Sequence, residues 1–302
     1  MLLSARAAAK PAPIVLVLAL APAPAAVAGA FGDCPARFLD GAPPLLTNAK
    51  LSQRTLPLCF DAFAVLHSGV SRTPVYAAEH LTRASVAAAR RVDREDAFHD
   101  EDRVPPDERA RIEDYVRSGF DRGHMAPAGD MPSAEAQAQS FSLANIVPQN
   151  RAFNRGLWSA IEESVRRLAS QRGELYVVTG PVFAGDSVEA IKGRVLVPTR
   201  IYKAVYDPKR GEAGAYLAPN DGEGTWRAIS LRTLAAEAGI DPFPTLPEAV
   251  KAAGMDLPEP REFSRGEPGE PRRPGDDWQS WLKSELLRAL QKALRDALRS
   301  IF

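Results

Sequence analysis

The sequence predicts an α+β fold on a mixed or antiparallel sheet, and three observations carry that expectation. Runs rich in valine and tyrosine, bounded by glycine or proline, recur along the chain. Two of them face each other across a tight turn. Strands and helices do not alternate regularly, as a doubly wound parallel sheet would require.

The first run is "SRTPVYAAEHL" (71–81) and the second "GELYVVTGPVF" (173–183). In "VLVPTRIYKAVYDPKRGEAGAYLAPN" (195–220) two strands flank a Pro-Lys-Arg-Gly turn and predict a hairpin. The strongest helix is "NRGLWSAIEESVRRLASQRG" (154–173), where Leu157, Ile161, Val165 and Leu168 recur at helical spacing and Gly173 is the stop. "DERARIEDYVRSG" (107–119) and "SLRTLAAEAG" (230–239) predict shorter helices.

The ends differ from the middle. Residues 1–28 have the pattern of a secretory signal: Arg6 and Lys10, the apolar run "PIVLVLALA", then the small residues "AAVAGA". The apolar run is short for a membrane span. A folded domain is expected over 29–260 and a Pro/Gly/charged linker over 261–277. An amphipathic helix follows over 278–302, its clean face running from 284. Leu286, Leu287, Leu290, Leu294, Leu298 and Ile301 share that face, opposite Arg288, Lys292, Arg295 and Arg299. It suits packing on its own domain, a membrane surface or self-association.

Composition is that of a globular protein of 302 residues, 45% hydrophobic and 25% charged, with zero formal net charge. Without Arg6 and Lys10, 36 basic residues stand against 38 acidic ones, so a polyanionic partner must be held by a local arginine cluster. Export to the periplasm or the medium makes a disulfide between Cys34 and Cys59, the only cysteines, the expected pairing. Two free buried thiols are the alternative. Neither cysteine belongs to a CxxC pair, and HExxH, GxSxG and phosphate-cradling glycine loops are absent. His67, His80 and His99 have no ligand spacing with an acid or a cysteine.

The remaining histidine stands in "DRGHMAPAGD" (121–130), where Gly123 could supply an unusual backbone angle. Downstream, Asn154, Trp158, Glu162 and Arg166 are spaced four apart, one stripe of a helix. Such a polar stripe makes sense lining a cleft. Each residue also has a plainer reading: Asn154 as a helix N-cap, Glu162 and Arg166 as a surface ion pair, and 93–96 as a solvated charged loop.

"DRGHMAPAGD" followed by "NIVPQNRAFNRGLWSAIEESVR" resembles the DNA/RNA non-specific endonucleases, the endonuclease G-like group with a ββα-metal active site. The resemblance extends to "RVDREDAFHDED", "ELYVVTGPVF" and "VLVPTRIYKAVYD" and covers about residues 70–245. It implies Mg²⁺-dependent hydrolysis of DNA and RNA, with Mn²⁺ as a substitute ion and 5′-phosphate products. His124 matches the general base, Asn154 the single direct metal ligand and Glu162 the carboxylate that orients metal-bound water. Arg94 matches the phosphate-binding arginine and Arg122 also faces phosphate, while Arg166 pairs with Glu162 or reaches substrate. Asp121 and Asn145 match positioning residues. A catalytically silent nucleic-acid-binding or effector module on the same scaffold is the alternative.

Overall fold

The computed structural model describes residues 31–185 and 188–261. The signal segment 1–28, nearly all of the 261–277 linker and the 278–302 helix lie outside the described residues.

Seven strands form the main sheet: β1 (Thr55–Cys59), β2 (Phe63–Ser68), β3 (Thr73–Thr82), β4 (Glu174–Val182), β5 (Arg200–Asp207), β6 (Glu212–Pro219) and β7 (Arg227–Ile229). Their spatial order is β7-β6-β5-β4-β3-β2-β1, and every neighbouring pair is antiparallel. The expected hairpin is β5–β6, closed between Asp207 and Glu212.

The central strands are buried on both faces, which explains their nearly continuous apolar sequence. Val65, Ala77, Val177, Val205 and Tyr216 pack on one side, and Ala64, Leu66, Ala78, Val178, Ala204 and Leu217 on the other. That alternation is the period of two of a pleated strand. The first face is covered by the helix α1 (Ser159–Arg172), through Ile161, Val165 and Leu168. The second face is covered by α2 (Leu231–Ala238), through Leu231 and Leu234. Ser230 caps the start of α2, and Gly239 ends it in the left-handed conformation at φ 70°.

The N-terminal segment is stapled to β1 by the Cys34–Cys59 disulfide, with Cα atoms 5.8 Å apart. The free-thiol alternative is thereby set aside.

The helix predicted over 107–119 shrinks to one turn, Ile112–Tyr115. Asp114 caps it by accepting from the Arg111 N–H and bonds Arg194 at 3.1 Å. The chain then turns extended at Val116, and Arg117 and Gly119 adopt positive φ. A local capping bond and two left-handed residues outweigh helix propensity here.

Candidate active site

A second, two-stranded antiparallel ladder lies beside the main sheet, formed by Asp121–His124 and Ile146–Gln149. The long helix follows it directly, giving a ββα unit. Gly123 does not supply an unusual backbone angle: its φ is not positive. Its role is close approach, because a Cβ there would lie 2.1–2.3 Å from side-chain atoms of the buried Gln149. The strand ends on His124, and buried Asn145 fixes the chain beyond it. The Asn145 carboxamide accepts from the Ala126 N–H at 2.9 Å and donates to the carbonyls of Ala126 and Ser140 at 2.8 and 2.9 Å.

Asn154 is not the helix N-cap. Asn150 takes that position, its side chain accepting from the N–H groups of Ala152 and Phe153 at 2.9 and 3.2 Å. Asn154 opens one wide π-type turn, Asn154–Trp158, bent at Gly156 (φ −106°, ψ −105°). This turn holds one more residue than an α-turn, so the stripe of four-residue spacing breaks. Ser159, rather than Trp158, joins Asn154, Glu162 and Arg166 along the cleft. Trp158 is displaced into the core, 1% exposed.

The cleft has a volume of about 680 Å³. His124, Asn154, Glu162, Arg94, Arg122, Arg166 and Asp121 all line it. Asn145 does not line it and is fully buried.

His124 lies between two aromatic rings, 5.4 Å from Phe98 and 4.9 Å from Phe141, and is 8% exposed. Burial first, and then the facing Arg94 and Arg122, lower its pKa to about 3. Its Nε2 is fully buried with no hydrogen-bond partner, which leaves Nδ1 as the ring atom for a water from the cleft. The two arginines flank the same rings, Arg122 at 4.1 Å over Phe98 and Arg94 at 5.5 Å over Phe141.

Asp121 ties the ladder to the helix start. It accepts from the Asn154 amide at 3.2 Å, from Arg155 at 2.7 and 3.1 Å, and from Arg151 at 3.3 Å. Burial alone would raise its pKa; the bonds from Arg155 and Asn154 and the two cations overcome this and hold it low. Glu162 is the opposite case. Burial pushes its pKa up to about 7, against the downward pull of Lys203 and Arg166.

Arg166 bonds Asp130 at 2.8 Å and Glu163 at 2.9 Å, so no hydrogen bond joins it to Glu162. The Glu162–Arg166 surface pair is thus corrected to a partly buried Arg166–Asp130 bridge. Asp130 closes "DRGHMAPAGD", and the acid at the end of that run is the sequence signal for this bridge. His67, His80 and His99 bond to Glu108, Glu174 and Ala97, away from the cleft.

No cluster of three or more His, Cys, Asp or Glu suited to a metal exists among the described residues. The donors present do fit a hard, largely hydrated cation: Asn154 spends its amide N–H on Asp121, leaving the carboxamide oxygen for the cleft, with the Glu162 carboxyl on the same wall.

Residues 44–249 match the DNA/RNA non-specific endonuclease family. The chain belongs to that family. It is 36% identical over 198 residues to the mitochondrial nuclease EXOG of Danio rerio, covering 58% of this chain and 57% of that protein. It is 34% identical over 210 residues to nuclease C1 of Cunninghamella echinulata var. echinulata, covering 65% of this chain and 79% of that protein. The chain thus spans under three fifths of the zebrafish nuclease and about four fifths of the fungal one. Among solved structures, EndoG in complex with EndoGI matches with a TM-score of 0.53 and 28% identity, over 63% of this chain and 87% of that one. The ββα unit, the antiparallel sheet and the cleft all fall within this endonuclease region.

Proposed function

We propose that this endonuclease-family chain is a secreted or periplasmic enzyme that hydrolyses phosphodiester bonds of DNA and RNA, dependent on Mg²⁺ and without strong sequence preference. One observation carries the reading: His124 and Asn154, far apart in sequence, line a single cleft beside Arg94 and Arg122. The family is metal-dependent. Mg²⁺, or Mn²⁺ in its place, would be held by Asn154, with Glu162 set to orient its hydration shell. Bound there, the ion supplies positive charge to the reacting phosphate and the departing oxygen.

The chain's own residues do the rest. Arg94 and Arg122 hold the substrate phosphate, whose negative charge offsets the two cations that otherwise keep protons off His124. His124, neutral and protonated on Nε2, then takes the proton of the attacking water at Nδ1 as the water oxygen bonds phosphorus and the P–O bond breaks, the departing oxygen leaving with the bonding pair and taking its proton from solvent. Such proton transfer contributes about 10²–10⁴-fold. Arginine contacts to phosphate carry no base information, which supports low sequence preference. Export is supported by the 1–28 pattern and the Cys34–Cys59 bridge. No helix among the described residues is long and apolar enough to cross a membrane. The amphipathic 284–302 segment is the part proposed to meet a membrane surface or a second copy.

The test compares degradation of plasmid DNA and of RNA by wild-type protein and His124→Ala, with folding followed by circular dichroism. Wild type should cleave both in Mg²⁺ and neither in chelator, and His124→Ala should bind both but cleave neither. Binding without cleavage by the wild type would instead favour the catalytically silent module.

A further inference from the structure

Beneath the cleft, the sheet buries two ionisable side chains that the chemistry above does not use. Lys203 on β5 is 0% exposed and Glu79 on β3 is 1% exposed. Both lie on the sheet face covered by α1, as the register shows. Thr179 of β4 pairs with Ala77 on one side and Lys203 on the other, and Glu79 stands two residues along from Ala77. The Lys203 ammonium donates to Thr179 Oγ1 at 2.7 Å and lies 5.9 Å from the centre of the Trp158 ring. Glu162 is four residues beyond Trp158 along the helix.

An ammonium buried this deeply is costly unless anions face it. The charges around Glu162 come from every side: Lys203 on β5, Arg166 on its own helix, Asp130 and Arg94 on loops, and Glu79 on β3. Three carboxyls, those of Glu162, Asp130 and Glu79, thus face two close buried cations, Lys203 and Arg166, and Glu163 is a fourth acid on Arg166. Arg166 is committed to Asp130 at 2.8 Å. Lys203 acts on both Glu162 and Glu79 without a direct ion pair to either, Arg37 acts on Glu79 as well, and the two carboxyls are not alike. Glu162 opens on the cleft, whereas both Glu79 oxygens are buried with no hydrogen-bond partner. An ionised Glu79 would be an unsolvated charge, so the proton that balances the cluster belongs there.

We propose that Lys203 is a positioning residue for Glu162, its buried ammonium favouring the carboxylate form from beneath the helix, while Glu79 stays protonated. The catalytic part of this inference rests on the nuclease reading; the charge assignment does not. Burial, then repulsion from Asp130, drives Glu79 well above the usual carboxyl range. Burial raises Glu162 as well, to about 7, and Lys203 is the first charge opposing that rise.

The experiment has two arms. In the first, kcat/KM is measured against pH for wild type, Lys203→Met and Lys203→Arg. Without Lys203, Glu162 ionises at higher pH, so Lys203→Met should lose about tenfold more activity at low pH than at high pH, one unit of displacement. Lys203→Arg, which keeps the charge, should restore the wild-type profile. An equal loss at every pH would mean a structural role and overturn the proposal.

The second arm follows unfolding of the metal-free protein between pH 5 and pH 8 and needs no activity. A carboxyl whose folded pKa is raised stabilises below its unfolded pKa and loses that contribution as pH rises. Glu79→Gln should therefore flatten the loss of stability with rising pH, and Lys203→Met should steepen it. Wild-type pH dependence in Glu79→Gln would overturn the assignment even if Lys203→Met fails to fold. An inactive wild type would count against the nuclease reading alone, and the unfolding arm would still decide this one.

Discussion

Asn154 donates its amide N–H to Asp121 at 3.2 Å, so a residue of the short strand ladder orients a residue of the helix start. The same carboxylate neutralises Arg151 and Arg155 at the cleft rim. Asp121→Asn removes that charge and leaves the Asn154 carboxamide free to flip. Half-saturating Mg²⁺ should then rise about 10–100-fold, the usual cost of losing a partner behind a metal ligand. Titrating activity against Mg²⁺ measures this, and an unchanged Mg²⁺ requirement would remove Asp121 from the positioning role.

His124 makes the folded state sensitive to acid. Its pKa is lowered to about 3 by burial and the facing arginines, against an ordinary 6.5 in the unfolded chain. Unfolded chains therefore bind a proton that the native state refuses. The stability this group provides is complete above pH 6.5 and is lost as pH falls from there toward 3. His124→Ala should shrink the loss of stability between pH 7 and pH 5 in urea unfolding. Some loss should persist, because buried His67 is lowered in the same direction.

Gly123 faces Gln149 so closely that any side chain must displace a buried one. Gly123→Ala should cost about 1–3 kcal/mol, the usual range for overpacking. It should reduce activity further by shifting His124 off the strand end. Gly123→Ala combined with Gln149→Ala should recover most of the stability, since the clash is pairwise. Additive losses in thermal unfolding would show that Gly123 is required for another reason.

That His124 and Asn154 share one cleft could be expected from the sequence, because family motifs surround both. Strands of the main sheet were legible because runs rich in valine and tyrosine, bounded by glycine or proline, are a local pattern. What escaped was set by contacts distant in sequence. Gly123 is explained by Gln149 across a ladder, not by its own backbone angle. Trp158 left the cleft stripe because one wide helical turn changed the phase, and no spacing rule foresees a π-turn. Glu79 and Lys203 sit inside "PVYAAEHL" and "RIYKAVYD", where they pass for strand residues; only the packing of α1 over them makes them buried ionisable groups. Phe98 and Phe141 flank the imidazole from two separate segments, so neither marked itself as part of the site.

Arg94 and Arg122 should each have two separable effects, because both face the cleft and both press on His124. Replacing either with alanine removes one phosphate contact. Binding should weaken for DNA and RNA alike, and the slope of log affinity against log salt should fall by about 1. The same change removes a cation that keeps protons off the imidazole, so the His124 pKa should rise toward its ordinary value, visible in its NMR titration. Lysine at either position keeps the charge but not the planar fork. It should therefore restore the salt slope and the low histidine pKa while leaving catalysis impaired. Should the alanine variants keep the wild-type salt slope, neither guanidinium holds phosphate, and the arginine wall serves only to bury the histidine.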